Sequence, residues 1–250
     1  MLERVKDSLL LYCAVVLMTA ALSGACSSPA RPSSSTPKDP EGPNTLTSAE
    51  RVAGWRLLFD GQSTSGWRGF RQASMPEGWR VIDGALTRDT AGGDVITTDS
   101  FSNFELALEW QIGAAGNSGI MYRVSEAAEL TFLSGPEMQV IDNAQNPDGG
   151  TAVTSAGACY ALYGPSRDVT RPAGSWNEVR LVASGSHIEH WLNGVKVVEY
   201  ELGSADWFAK VQASMFRDVQ TYGREPAGHI ALQDHGDRVA YRSIKIKLLP

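Results

Sequence analysis

The dipeptide Asn193-Gly194 constrains the fold of this chain more than any other feature. It separates His187-Ile188-Glu189-His190-Trp191-Leu192 from Val195-Lys196-Val197-Val198-Glu199-Tyr200, two runs rich in β-branched and aromatic residues. A two-residue type I′ turn needs positive φ at both central positions, which Asn and Gly tolerate, so a β-hairpin is predicted. Upstream, Phe104, Leu106, Leu108, Trp110 and Ile112 alternate with Glu105, Ala107, Glu109 and Gln111. Such period-two alternation is a strand with one apolar face. Asp83-Gly84 predicts a tight turn between Trp79–Ile82 and Ala85–Arg88. A last hairpin is expected to join His229–Asp234 to Arg238–Leu249 across His235-Gly236-Asp237. Helical periodicity persists only briefly, at Ala205–Val211 and Ser125–Leu130. Many short strands with incidental helix imply an all-β fold, a two-sheet antiparallel jelly-roll sandwich.

The N-terminal stretch obeys different chemistry. Arg4 and Lys6 precede an apolar run from Leu9 to Leu22, short of the roughly 20 residues that span a bilayer and suited to a signal peptide. The run ends in Ser23-Gly24-Ala25-Cys26, which resembles a bacterial lipobox, with Ser23 where Leu is usual. Residues 1–25 therefore read as a lipoprotein-type signal peptide and Cys26 as the acylated residue, the rival reading being plain secretion with cleavage near Ala25. The expectation is an exported bacterial protein held by a lipid anchor on the periplasmic or cell-surface side. Residues 26–50, poor in large apolar side chains, read as a flexible Ser/Pro-rich tether, and residues 51–250 as one β domain. With Cys13 leaving in the signal and Cys26 acylated, Cys159 is left alone and reads as a small buried hydrophobe. Lys and Arg number 22 against 28 Asp and Glu, a net charge of −6, so no basic surface is available for nucleic acid.

Polar side chains on the strands of a sandwich normally face water. Three places resist that reading: Gly116-Asn117-Ser118-Gly119 leading to Tyr122-Arg123, Gly135-Pro136-Glu137-Met138-Gln139-Val140-Ile141-Asp142-Asn143, and Leu232-Gln233-Asp234-His235. If their strands are neighbours, one sheet face gathers Arg, Glu, Gln and His into a polar cleft.

These segments, with Leu57–Trp67, Trp176–Asn177, Trp191–Gly194 and Gly228–Ile246, resemble the 3-keto-disaccharide hydrolase family over nearly everything from Trp55 to Leu249. The resemblance implies a concanavalin A-like lectin/glucanase jelly roll and cleavage of sugars already oxidised at C3. It also implies an upstream sugar oxidoreductase as pathway partner. One departure is Ser214-Met215-Phe216, where family members commonly carry Lys in the middle.

A 3-keto group acidifies the C2 hydrogen, so a base can form an enolate, the aglycone can leave from C1, and water can add back. That chemistry needs a base, a clamp for the enolate oxygen and an acid for the leaving group. His235 is the candidate base, since imidazole takes a proton near neutral pH. Glu137 is the candidate acid or second base, and Arg123 the candidate clamp. Gln139, Asn117, Tyr122, Gln233, Asp234 and Asp142 are candidates for sugar hydroxyls, and Trp191 for stacking on a pyranose face; Trp110 and Trp176 are assigned to the core. No cofactor is implied. A divalent metal stays open, with Asp142, Asp234 and Asp237 as oxygen ligands of the kind Ca²⁺ takes. Two other readings also stay open: a non-catalytic carbohydrate-binding module, and a conventional glycosidase. The latter lacks an obvious partner carboxylate along the strand, because the step from Glu137 lands on Gln139.

Overall fold

The computed structural model describes residues 42–250, so the expected signal peptide, Cys26 and most of the expected tether lie outside the described residues. The larger of two antiparallel sheets holds β1 (Trp55–Leu57), β3 (Trp79–Ile82), β4 (Ala85–Arg88), β6 (Phe104–Ile112), β9 (Asn177–Ser184), β10 (His187–Leu192), β11 (Val195–Glu201) and β13 (Val239–Leu248). Its order is β11-β10-β9-β6-β13-β4-β3, with β1 beside β13. The smaller sheet holds β2 (Trp67–Gly69), β5 (Val95–Thr97), β7 (Asn117–Val124), β8 (Glu137–Ile141) and β12 (His229–Leu232). It runs β2-β5-β12-β7-β8. The jelly-roll sandwich expected from the alternation is the observed architecture.

Local chemistry explains the elements. Asn193 and Gly194 turn at φ 49° and 80°, and Asp83 and Gly84 at 50° and 74°, the positive pair a type I′ turn requires. The alternating side chains of β6, Phe104 to Ile112, are buried and face Ile120, Tyr122, Met138 and Val140 of the smaller sheet in one core. Trp110 is buried as expected. Trp176 is instead half-buried beneath the Arg242 guanidinium, 4.0 Å from its ring centroid, because it precedes β9 in a loop.

Two further expectations are corrected. The chain from His229 to Leu248 is not a hairpin, for β12 pairs with β5 and β7 while β13 pairs with β4 and β6 in the other sheet. Asp234 pins the corner between them. Its carboxylate is paired with Arg88 at 2.7 Å and accepts the N–H groups of Gly92, Gly93 and Gly236. Residues 125–130 form a turn rather than a helix, and the helical turn falls at Thr131–Leu133. The other predicted helix, at Ala205–Val211, is present over Ala205–Ala213 and is capped by Ser204. The end of the stretch read as tether packs on the sandwich: Asn44 donates to the Gly84 carbonyl at 2.8 Å and Glu50 pairs with Lys245.

Candidate active site

Strands β7 and β8 place the site. Gly119 lies opposite Gln139 and Met121 opposite Glu137, so alternation sends Asn117, Glu137 and Gln139 to the face turned away from the core. That face is covered: Phe132, Tyr160, Met215 and Phe216 reach over it from three loops. Gln233 and His235, just beyond β12, complete the wall, with the Gln233 N–H donating to the Gly119 carbonyl at 3.0 Å. Together these residues enclose about 150 Å³, space on the scale of one sugar ring. Five predicted site residues, Asn117, Glu137, Gln139, Gln233 and His235, therefore meet in one cavity.

The electrostatics are unusual for an acid on a sheet. Glu137 is 5% exposed, and no hydrogen bond or ion pair reaches its carboxyl among the described residues. Burial first, and the negative charge of Asp94 second, push its pKa up to about 8. Near neutral pH it is a carboxylic acid, a proton donor among neutral amides and aromatic rings. Beside it, Gln139 Nε2 donates to Asn117 Oδ1 at 3.3 Å, while Gln139 Oε1 is buried without a partner. An orphaned acceptor at a cavity wall is a place for a ligand donor. His235 stands exposed at the mouth. No Lys or Arg lines the cavity among the described residues.

Sequence reasoning missed Asp94. It accepts a hydrogen bond from the Thr131 hydroxyl and, at 2.8 Å, from the Asp234 N–H. Burial foremost raises its pKa, the charge of Asp234 adds to that, and His235 opposes it. Its field therefore reaches both Glu137 and His235. The available signal was Gly92-Gly93-Asp94 directly ahead of the apolar Val95-Ile96, a carboxylate set at the start of a buried strand.

Other expected residues lie elsewhere. Arg123 would share the face of Glu137 by simple alternation. A bulge intervenes instead: His229 pairs with Val124 but Ala231 with Met121, and Arg123 sits at φ 54°. Its guanidinium donates to the carbonyls of Ser102 and Gly185, away from the cavity. Tyr122 points into the core and hydrogen-bonds Tyr200 and His190. Trp191 belongs to the larger sheet, with Arg180 5.0 Å over its ring and its N–H on Glu189. Asp142 shapes its own loop, accepting the N–H groups of Ala115 and Ala144. Asp234 acts at one remove. Against the effect of burial, the N–H groups of Gly92, Gly93 and Gly236 and the Arg88 side chain hold its carboxyl below the usual range.

Asp142, Asp234 and Asp237 do not converge on a common point. Asp237 accepts the Asn117 N–H, so each of the three is engaged by backbone. The His187, Glu189 and Glu199 side chains do cluster on the larger sheet, but Lys196 pairs with both carboxylates there. Cys159 is buried against the Tyr200 hydroxyl, and burial pushes its thiol up to about 12, which leaves it unreactive.

The chain is 32% identical over 228 residues to the 3-keto-disaccharide hydrolase of Bacteroides thetaiotaomicron, covering 78% of this chain and 79% of that protein. A crystal structure from Parabacteroides distasonis, described as a glycosyl hydrolase, superposes with a TM-score of 0.78 at 33% identity, covering 84% of this chain and all of that one. A second protein of that organism and description gives 0.61 at 25% identity, over 78% of this chain and 99% of that one. Residues 54–247 match the model of the 3-keto-alpha-glucoside-1,2-lyase-like domain, and the chain belongs to that family.

Proposed function

We propose that this protein is a hydrolase that cleaves the glycosidic bond of 3-keto-glycosides and 3-keto-disaccharides in the Glu137–His235 cavity. The observation that carries the reading is Glu137, a carboxylic acid kept protonated near pH 7 in a ring-sized cavity of neutral amides. Kinship with a protein named for 3-keto-disaccharide hydrolysis supports this substrate class.

The chemistry follows from what each group can do. His235 takes the C2 proton, and the electron pair moves into the enolate of the 3-keto group. Asn117, Gln139 and Gln233 offer amide hydrogen bonds to the enolate oxygen and the ring hydroxyls. The enolate collapses, the C1–O bond breaks, and Glu137 delivers its proton to the departing oxygen. The resulting Glu137 carboxylate takes a proton from water as that water adds to C1, and the imidazolium returns a proton to C2. The net result is hydrolysis, with both groups restored.

Double displacement at C1 is disfavoured by the placement of the carboxylates. Both oxygens of Asp94 are engaged, and Asp142 lies outside the cavity. The class of reaction that supplies the substrate is oxidation at C3 by a sugar oxidoreductase, and the anchor expected at Cys26 would set the cleavage at the cell envelope. Aglycone release from a 3-keto-glucoside and from its unoxidised parent, by wild type and Glu137→Gln, tests the proposal. Release from the keto sugar by wild type alone supports it, and equal release from both sugars overturns it.

A further inference from the structure

The bulge that takes Arg123 away from the active cavity delivers it to another one, of about 510 Å³, whose walls include Gly185, Leu202, Phe208, Arg224 and Glu225. Arg123 is 5% exposed and adopts a positive φ of 54°, a conformation that is strained for a bulky side chain. Nε and Nη2 donate to the Ser102 carbonyl at 3.1 and 2.8 Å, and Nη2 also to the Gly185 carbonyl at 2.8 Å. Nη1 has no acceptor, and no carboxylate lies within ion-pair distance among the described residues. Carbonyl oxygens satisfy donors but leave the net charge uncompensated, and a buried unpaired cation is costly. Burial holds this guanidinium below the usual arginine range.

At the rim of the cavity, the Arg224 guanidinium lies 5.5 Å over the ring of Phe208, a phenylalanine 42% exposed. The cavity therefore joins a buried guanidinium with an unengaged Nη1 and no counter-charge, a second cation and an apolar wall. A strained backbone, a buried cation and an exposed aromatic all converge on one cavity, and one kind of ligand accounts for the three. We propose that this cavity binds a small organic monocarboxylate, one of its oxygens on Nη1 of Arg123 and its apolar body against Phe208 and Leu202. A hydrogen bond from a charged Nη1 to a carboxylate oxygen is stronger than one between neutral groups and would supply the missing counter-charge. Glu225 in the same wall opposes a doubly charged anion such as phosphate.

Isothermal titration of the full chain with benzoate, and separately with inorganic phosphate, tests the site. Benzoate is expected to bind at millimolar concentration or below and more tightly than phosphate. Arg224→Gln should weaken benzoate by about threefold or more, and Glu225→Gln should tighten it by a similar factor, through loss of an attractive and a repulsive charge. Arg123→Gln should abolish binding. Because that variant can fail to fold, the two rim variants decide the matter. Arg224→Gln should leave cleavage of a 3-keto-glucoside unchanged, since this cavity shares no lining residue with the other. Absence of benzoate binding to wild type overturns the proposal, as does preference for phosphate. A lowered melting temperature in Glu225→Gln with unchanged benzoate affinity also overturns it, because Glu225 would then be the counter-charge of Arg123.

Discussion

A Cβ on Gly119 would stand 2.6 Å from the carboxyl carbon of Glu137, so the acid lies across a strand position that carries no side chain. Gly119 is extended within β7, and what it supplies is space rather than conformational freedom. The bare position lets Glu137 lie in the cavity wall instead of being driven out of it.

Gly119→Ala therefore displaces Glu137. Overpacking of this kind costs about 1–3 kcal/mol, and the shifted acid should lower kcat/KM about tenfold or more. Urea midpoints and steady-state kinetics check both effects. Full activity in a folded variant would mean that the position of Glu137 does not matter.

Glu137 makes stability depend on pH in a direction opposite to a salt-bridged carboxylate. Its pKa rises from about 4.5 to about 8 on folding, so the folded chain holds the extra proton between those values. Stability therefore falls as pH rises through that window, by up to about 1.4 kcal/mol per pH unit. Glu137→Gln removes this dependence. It should be more stable than wild type near pH 8 while losing about a hundredfold or more in turnover. Denaturation midpoints of both proteins near pH 6 and pH 8 give the difference in slope.

Asp94→Asn removes the charge that helps hold Glu137 protonated. Turnover in wild type should fall as pH rises through about 8, and in the variant that alkaline limb should move to lower pH. Met215→Lys, which sets a cation in the wall of the same cavity, should move it the same way. A pH profile of kcat for each variant reads the shift directly.

His235 is exposed and holds no core contact, so His235→Ala should fold normally and lose about a hundredfold or more in turnover. Circular dichroism and kinetics on the same sample separate fold from catalysis. Wild-type turnover in the variant would remove His235 from the reaction.

The buried pair Arg88–Asp234 holds the corner from which His235 projects. Arg88→Met leaves Asp234 buried without its cation and should cost about 3–5 kcal/mol. Melting temperature is the first readout, and a drop in turnover should accompany it.

Strand alternation and turn chemistry were legible because both are local: β6, the Asn193-Gly194 hairpin and the Asp83-Gly84 turn follow from short-range rules. The sequence left the adjacency of these strands as a condition; the pairing of β7 with β8 brings Asn117, Glu137 and Gln139 together, and β12 beside β7 adds Gln233 and His235. Arg123 was misplaced because a one-residue bulge reverses facing without leaving a signature in the residue order. Tyr122 and Trp191 failed for a related reason, since periodicity gives alternation but not which face is inward. The last expected hairpin failed because Asp234 is held by partners some 140 residues away. Asp94 escaped notice because its importance is electrostatic and arises only when β5 lies near Glu137.

Proton NMR of the purified full chain in D₂O, with a 3-keto-glucoside and its unoxidised parent, follows the bond cleaved and the C2 proton in one experiment. His235 is open to solvent, so the proton it returns to C2 should be deuterium. Aglycone release is expected from the keto sugar alone, with deuterium at C2 of the product. Release without deuterium at C2, or cleavage of the unoxidised glucoside at a comparable rate, would contradict the proposed function.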